Sequence, residues 1–292
     1  MVKTYSQLYL DARKTLQIVD DEQTASMVAR QLLCFVSGKT REQVVSLREA
    51  SAPEDVCAKM DFAVSRYLKG EPLAYILGEW EFFGLPLYVT KDVLIPRDDT
   101  CAVVELAINK ALFLGKDPRI LDLCTGSGCI GLAIASRVKD ARVTLADISK
   151  DALAIAKKNA MRNHLNSRVT CISADALQAP SKFLGQFDLI VSNPPYITGE
   201  EMKELPRSVA DYEPHLALFG GNDGLDFYRS IADRYRAALK PGGYLCFEFG
   251  MGQEEEVCEL LTQGGYDIQE LRKDSGDIIR AVLARKKESE EE

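Results

Sequence analysis

Residues 119–131 read RILDLCTGSGCIG, an apolar run that ends in a loop rich in glycine. The run over 119–124 predicts a buried strand. Glycine permits positive φ angles and lets a ligand approach the backbone closely. Because open α/β sheets bind ligands beyond the carboxyl ends of their strands, this loop is a candidate ligand site. Gly126, Gly128 and Gly131 spell G-x-G-x-x-G, which is typical of nucleotide-binding loops but also suits a purely structural turn.

Further strand-like runs follow the first one and alternate with helical patterns. The runs lie at 142–147, 168–172, 187–192, 243–249, 266–271 and 279–284, and the helical patterns lie near 129–138, 150–163, 224–239 and 253–263. Such alternation predicts βαβ units around a mostly parallel, seven-stranded sheet. The predicted fold class is therefore α/β and Rossmann-like. Ser149 is an N-cap candidate for the helical pattern at 150–163.

The first third of the chain has a different pattern. Apolar residues recur at helical spacing up to about residue 72, which predicts a small helical domain, and Asp20 and Asp21 are N-cap candidates within it. Aromatic and β-branched residues over 80–95, with Gly84 and Pro86 at a turn, predict a linking β-hairpin. The predicted divisions are a helical domain over 1–75, a hairpin linker over 76–98, the α/β domain over 99–287 and a charged tail over 288–292.

The composition is that of an ordinary globular protein, with 46% hydrophobic and 27% charged residues among 292. No apolar run reaches the length of a membrane span, and the N-terminus lacks the apolar core of a signal peptide. We therefore expect a cytoplasmic location. The net charge of −8 argues against a protein that binds nucleic acid chiefly through phosphates, and it is compatible with a protein partner.

The eight cysteines form no C-x-x-C pair, and only two histidines accompany them. Several, such as Cys171 and Cys246, lie in apolar strand-like runs. This pattern favours reduced core thiols, with neither a disulfide framework nor a metal site.

Carboxylates follow the second and third predicted strands. Asp147 ends the second, where a carboxylate can accept both ribose hydroxyls of an adenosine-containing cofactor, whether NAD or S-adenosylmethionine. Asp175 follows the third strand and is placed to bond an adenine amino group. Each of the two can instead serve a turn or a helix cap, and the sequence leaves that choice open.

The fourth strand ends in SNPPY, residues 192–196. Consecutive prolines fix φ and make a rigid loop. Here the side-chain carbonyl of Asn193 and the main-chain carbonyl of Pro194 can accept from both hydrogens of an amide or aromatic amine. Those bonds position the nitrogen and favour the charge that develops on it during methyl transfer. Tyr196 can stack on the flat target group.

With these motifs the chain resembles the release-factor glutamine N5-methyltransferases, the PrmC/HemK family of the class I methyltransferase fold. The resemblance covers nearly the whole chain. It rests on Phe82-Phe83-Gly84, Leu94-Ile95-Pro96-Arg97, the 122–128 loop, Asp147-Ile148-Ser149, Asn193-Pro194-Pro195-Tyr196, Tyr212-Glu213-Pro214, the 220–225 segment and Glu248-Phe249-Gly250.

The resemblance implies S-adenosylmethionine as cofactor and the glutamine of the Gly-Gly-Gln motif in class-1 peptide release factors as target. It also implies that the helical domain and hairpin help to dock this protein partner. Neither a membrane nor nucleic acid is expected as a partner. The implied cofactor contacts are Cys124, Thr125, Gly126, Ser127, Gly128, Asp147, Asp175, Ala176 and Asn193, the candidate catalytic residues are Asn193, Pro194 and Tyr196, and the candidate substrate contacts add Pro195 and Arg97.

Two positions depart from the family pattern. Cys124 stands where glycine is usual, and Cys101 stands where glutamate is usual. Arg97 can contact substrate or pair with a carboxylate. Glu213 is a better structural acceptor than catalyst, and the sequence leaves the choice between these two roles open for Glu248. The alternatives left open are an adenine-N6 nucleic-acid methyltransferase, a glutamine methyltransferase acting on a ribosomal protein, an NAD-dependent oxidoreductase and a binding module without turnover.

Overall fold

The computed structural model describes residues 3–288, so the predicted tail at 288–292 lies almost wholly outside the described residues. The chain divides into two compact units. The first runs to Gly78 and includes Arg207–Tyr212, and the second comprises Glu79–Pro206 and the chain from Glu213 onward. No helix in the described part of the chain is both long and apolar enough to cross a membrane.

The first unit is helical, as its apolar spacing predicts. Asp21 caps its second helix by accepting from the Thr24 backbone N–H at 2.8 Å, which confirms the predicted cap. Leu8, Leu32 and Met60 are among the buried residues of its core. Its helices are α1 (Tyr5–Leu16), α2 (Glu22–Ser37), α3 (Arg41–Ser46), α4 (Glu54–Leu68) and α5 (Leu73–Leu77).

The second unit contains a seven-stranded sheet of order β5-β4-β3-β6-β7-β9-β8. The strands β5, β4, β3, β6 and β7 pair in parallel, and β9 runs antiparallel to both of its neighbours, which confirms the predicted mostly parallel α/β sheet. The strands are β3 (Arg119–Leu123), β4 (Arg142–Asp147), β5 (Val169–Ser173), β6 (Phe187–Ser192), β7 (Leu239–Glu248), β8 (Tyr266–Lys273) and β9 (Ile279–Lys286).

Helices cover both faces of this sheet, so its central strands are apolar on both sides. Along β3, Ile120 faces one hydrophobic cluster, whereas Leu121 and Leu123 face the other. The helices are α6 (Cys101–Ala111), α7 (Cys129–Arg137), α8 (Lys150–Arg162), α10 (Asp226–Arg234) and α11 (Glu254–Gln263); the single-turn α9 (Arg207–Ala210) belongs to the first unit.

The predicted hairpin is present within the second unit as β1 (Glu79–Phe82) and β2 (Leu85–Tyr88). Its turn is Phe83-Gly84, and both residues have positive φ, as a tight two-residue hairpin turn requires. The prediction that Pro86 lies in the turn is wrong, because Pro86 pairs with Glu81 inside β2. A two-stranded hairpin consists of edge strands, and an edge strand tolerates a residue without an N–H.

One buried side chain, Asn159 on α8, fastens this hairpin to the sheet domain. Its Oδ1 accepts from the Tyr88 backbone N–H at 2.6 Å, and its Nδ2 donates to the Tyr88 carbonyl at 3.0 Å. The same nitrogen donates to the carbonyl of Ser127, at 2.9 Å. Asn159 therefore joins the hairpin, α8 and the glycine-rich loop through backbone groups.

Replacing Asn159 with leucine keeps the branched shape of the side chain but leaves these three backbone groups without their partner. We expect Asn159→Leu to lower the free energy of unfolding by about 3 kcal/mol, measured by urea denaturation. The exposed Asn166→Ala variant is the control and should change it by less than about 0.5 kcal/mol. Equal effects of the two substitutions would contradict a structural role for Asn159.

Candidate active site

A cavity opens at the carboxyl ends of β3, β4, β5 and β6, where the strand order reverses beside β3. The structure brings most of the predicted site residues together around it, although Gly128, Pro194 and Tyr196 do not line it. Those that do are Arg97, Cys124, Thr125, Gly126, Ser127, Asp147, Asp175, Ala176, Asn193 and Pro195.

Packing explains why two positions after β3, one in the loop and one in α7, are glycine. Gly128 has φ of 85°, and a Cβ there would lie 3.2 Å from the side chains of Leu132 and Leu145. At Gly131 a Cβ would lie 2.3 Å from Leu145 Cδ2, so only glycine lets α7 pack this closely on the sheet. The third glycine of the motif thus serves helix packing, while the first two shape the loop.

A buried carboxylate, Asp122, holds the loop closed. Its Oδ2 accepts from the Thr125 hydroxyl at 2.6 Å and from the Gly131 backbone N–H at 2.8 Å. Burial raises the pKa of Asp122 to about 7, against the lowering effect of these two hydrogen bonds. Asp122 lies one layer behind the cavity, and its role depends on contacts that the sequence pattern alone does not indicate.

Asp147 bonds both to the loop and to the start of the next helix. Its Oδ2 accepts from the Gly126 backbone N–H at 2.9 Å, and its Oδ1 accepts from Ser149 N–H at 2.9 Å. Burial raises its pKa. Ser149 in turn caps α8 through Ala152 N–H, which confirms that predicted cap. The carboxylate therefore has a turn role and also lines the cavity.

Asp175 lines the same cavity beyond β5. Its Oδ1 accepts from the Leu177 backbone N–H at 2.8 Å, so it too stabilises a turn. The Tyr235 hydroxyl donates to the Asp175 carbonyl at 3.1 Å, which fixes the backbone there. Ala176 beside it is buried and adds an apolar contact to the wall.

The loop after β6 is anchored at both of its ends. The Ser192 hydroxyl donates to the Leu123 carbonyl at 2.5 Å, which ties the end of β6 to the end of β3. At the other end, Gln253 donates to the Tyr196 carbonyl at 3.3 Å. Tyr196 packs against Gly250, where even a Cβ would lie 3.0 Å from the ring, and burial raises its pKa to about 12. Tyr196 is thus a neutral phenol behind the cavity wall.

Asn193 lies between these anchors, beside two residues that were not among the predicted site residues. Its Nδ2 donates to the Thr100 hydroxyl at 3.4 Å, and Thr100 also lines the cavity. Glu248, at the end of β7, is 2% exposed, and its Oε2 has no hydrogen-bond partner among the described residues. Burial raises the pKa of Glu248 to about 8, although hydrogen bonding from Thr100 and Asn193 lowers it.

Arg97 forms an ion pair with Glu213, whose side chain is only 1% exposed. Glu213 Oε2 also accepts from the Ile95 backbone N–H at 3.2 Å. Arg97 therefore pairs with a carboxylate, which is one of the two roles considered for it, and it also lines the cavity. The same contacts give Glu213 the structural role expected of it.

Among the described residues that line the cavity, one buried polar side chain has no hydrogen-bond partner. Ser127 Oγ is buried and has no hydrogen-bond partner among residues 3–288, although it lines the cavity. No group of three or more His, Cys, Asp or Glu residues in that range is arranged to hold a metal ion. Burial strongly raises the pKa of the thiols of Cys124 and Cys129, so both are unreactive thiols at neutral pH.

The sheet order, the antiparallel β9 and the ligand-facing loops at the β3–β6 switch point define the class I methyltransferase fold. A methyltransferase from Pyrococcus furiosus shares this fold with a TM-score of 0.52 and 20% identity, over 77% of this chain and 98% of that one. Two family models match, the PrmC N-terminal domain over residues 7–78 and the methyltransferase small domain over residues 105–210.

The curated relatives narrow the class to one family. A release factor glutamine methyltransferase from Clostridium acetobutylicum is 41% identical over 87% of this chain and 88% of its own length. Another from Geobacter sulfurreducens is 42% identical over 80% of this chain and 79% of its own. This chain belongs to the release factor glutamine methyltransferase family, which confirms the resemblance that its motifs indicate.

Cys124, which stands where the family usually has glycine, has a φ of 60°. The left-handed region costs a residue with a Cβ about 1 kcal/mol or more relative to glycine. We therefore expect Cys124→Gly to be more stable to urea than Cys124→Ala by about 1 kcal/mol, the reverse of the usual order of these residues. An alanine variant as stable as the glycine variant would show that the loop relaxes out of this conformation.

Glu248 makes stability depend on pH. Its pKa is about 8 in the folded chain and 4.5 for a fully solvated side chain, so between these two pH values the folded state holds a proton that the unfolded state has lost. The stabilising contribution of the protonated carboxyl is therefore complete below pH 4.5, and it is lost as the pH rises through 8. We expect Glu248→Gln to raise the Tm relative to wild type by more at pH 9 than at pH 6. A Tm difference that is constant across this range would contradict the raised pKa.

Proposed function

We propose that this chain transfers the methyl group of S-adenosylmethionine to the side-chain amide nitrogen of the glutamine in the Gly-Gly-Gln motif of class-1 peptide release factors. The observation that carries the proposal is the position of Asn193. Its side chain lines the same cavity as the glycine-rich loop and Asp147, in a chain that belongs to the release factor glutamine methyltransferase family.

The residues around the cavity fit S-adenosylmethionine. When bound, this cofactor supplies a methyl group activated by a sulfonium. The Asp147 carboxylate can accept from ribose hydroxyls, because two N–H bonds already hold it in place. The Ser127 hydroxyl has no partner among the described residues and can bond a polar group of the cofactor, and the wall at Asp175 and Ala176 suits the edge and face of adenine.

The acceptor nitrogen needs positioning more than it needs a base. An amide lone pair is delocalised, so the nitrogen is a poor nucleophile until its substituents are fixed. Asn193 Oδ1 and the Pro194 carbonyl can each accept one of its two N–H hydrogens. As the carbon–nitrogen bond forms, positive charge grows on that nitrogen, and both acceptors stabilise it. The cationic product then loses a proton to water, so no buried base is required.

The other four predicted substrate contacts have different surroundings. Pro194 and Pro195 are buried and keep the loop rigid, so its carbonyls do not move when substrate binds. Tyr196 packs on Gly250, and its stacking on the glutamine stays a prediction. The same holds for a contact between Arg97 and the release factor, since the guanidinium already pairs with Glu213.

A methyl-transfer assay with labelled S-adenosylmethionine tests the proposal. We expect label on a class-1 release factor and none on the variant whose Gly-Gly-Gln glutamine is alanine. Asn193→Leu should lower kcat by about 100-fold or more, because it removes one of the two acceptors. Asn166→Ala is the matched control and should keep wild-type activity.

Parallel reactions address the other possible acceptors. A ribosomal protein fraction and adenine-containing DNA receive the same enzyme and cofactor. Label on either of these, with none on the release factor, would replace the proposed substrate. Label on the release factor that persists after the glutamine is replaced would move the modification to another residue.

A further inference from the structure

The proposed reaction depends on which end of the Asn193 side chain faces the cavity. The oxygen and the nitrogen of an asparagine amide occupy nearly the same space but have opposite hydrogen-bonding roles. Only Oδ1 can accept from the glutamine nitrogen. If the amide were rotated by half a turn, its N–H hydrogens would face the N–H hydrogens of the glutamine. The site therefore requires a restraint that holds the amide in one orientation.

The residues around Nδ2 provide such a restraint. Ser192 pairs with Phe247 in the parallel register of β6 and β7, which places Asn193 and Glu248 side by side at the carboxyl edge of the sheet. Thr100, directly before α6, completes the group, and its hydroxyl accepts from Asn193 Nδ2 at 3.4 Å. Glu248 is 2% exposed, and Thr100 is equally buried.

The hydrogen-bonding capacities in this group define a direction. A hydroxyl has one hydrogen and two lone pairs. Because Thr100 accepts from Asn193, its own hydrogen is free for the carboxylate of Glu248. An ionised carboxylate only accepts, so it holds the Thr100 hydroxyl as a donor and attracts the remaining N–H of Asn193. Rotation of the amide would turn Oδ1 toward a carboxylate oxygen, which is repulsive.

We propose that Thr100 and Glu248 are positioning residues that fix the amide orientation of Asn193, so that Oδ1 faces the substrate nitrogen. The inference rests on the proposed function, because it gives Asn193 Oδ1 a substrate to bind. It also gives a role to the Oε2 atom of Glu248, which is buried without a partner among the described residues. Neither residue contacts the reacting atoms, so neither is a catalyst.

The charge on Glu248 should affect the strength of this restraint. Burial raises its pKa to about 8, so the carboxyl is largely protonated at neutral pH. A protonated carboxyl can donate to Thr100, which weakens the preference for Nδ2. We therefore expect kcat to rise with pH toward the ionisation of Glu248. The titratable and charged groups that face Glu248 are Asp99, Cys101, Cys129, Tyr196, Tyr228 and Arg280.

Steady-state kinetics on the full chain, with a release factor and saturating S-adenosylmethionine, test the proposal between pH 6 and 9. Thr100→Val should lower kcat by about tenfold to a hundredfold, with little change in KM for the release factor. Glu248→Gln should lower kcat by a similar factor at pH 9 and by much less at pH 6, where the wild-type carboxyl is itself protonated. Thr100→Ser keeps the hydroxyl and should retain most of the activity. Thr170→Val, at an exposed position on the edge strand β5, is the control for loss of a threonine hydroxyl.

Two results separate a positioning role from a structural one. The pH-dependent rise in kcat should disappear in Glu248→Gln, even though this variant should be more stable than wild type. Wild-type kcat and an unchanged pH profile in Thr100→Val and Glu248→Gln would overturn the proposal. A change in KM or a loss of stability in these variants, with kcat preserved, would also overturn it.

A measurement without substrate keeps this inference separate from the proposed function. The side-chain amide of Asn193 gives a pair of ¹H–¹⁵N signals, assigned by their loss in Asn193→Leu. We expect both signals to shift, and their exchange with solvent to accelerate, in Thr100→Val. Unchanged signals would refute the hydrogen-bonded restraint whether or not the release factor is the substrate, whereas an inactive wild-type enzyme with restrained signals would refute only the proposed function.

Discussion

The reversal of strand order beside β3 is the constraint on which the site depends. The chain proceeds from β3 outward through β4 to β5, then returns to pair β6 on the other side of β3. The loops that follow β3 and β6 therefore leave neighbouring strands in opposite directions, and a crevice opens between them. The hydrogen bond from Ser192 to the Leu123 carbonyl fixes the distance between these two strand ends. Both halves of the proposed chemistry, the cofactor loop and Asn193, depend on that single junction.

Buried polar groups then hold the loops in place, and two of them, Asp147 and Asn159, bridge distant parts of the chain. Asp122 closes the glycine-rich loop from behind, Asp147 holds it from the side, and Asn159 ties it to the hairpin. Breaking one of these buried hydrogen bonds would leave a donor or an acceptor unsatisfied, which costs free energy. The loop therefore has one favourable conformation, and the cavity walls are formed before any ligand binds.

The sheet and the main loops could be predicted because their signals are local. Apolar runs and glycine positions depend on neighbouring residues, as do the caps at Asp21 and Ser149. The bridging residues could not be predicted in this way, since Asn159 bonds to a residue 71 positions away and Asn193 to one 93 positions away. One signal was available in retrospect: Asn159 is a polar residue on the apolar face of α8, among Ile155, Ala156 and Ala160. The turn at Phe83 was misplaced because proline is a turn signal in general, yet an edge strand accepts it.

The same physics that makes the site reactive makes it costly to fold. Asp122 and Glu248 are both wholly buried carboxyls with raised pKa values, and Cys124 has a backbone conformation that favours glycine. None of these features stabilises the fold by itself. They concentrate around one cavity, whereas the rest of the sheet follows ordinary apolar packing. Such clustering is expected where a structure is selected for chemistry in addition to stability. Glu248 also differs from the other buried glutamate, Glu213. Both oxygens of Glu213 have hydrogen-bond partners, whereas Oε2 of Glu248 has none among the described residues, so it is available to the Asn193 amide that we propose it restrains.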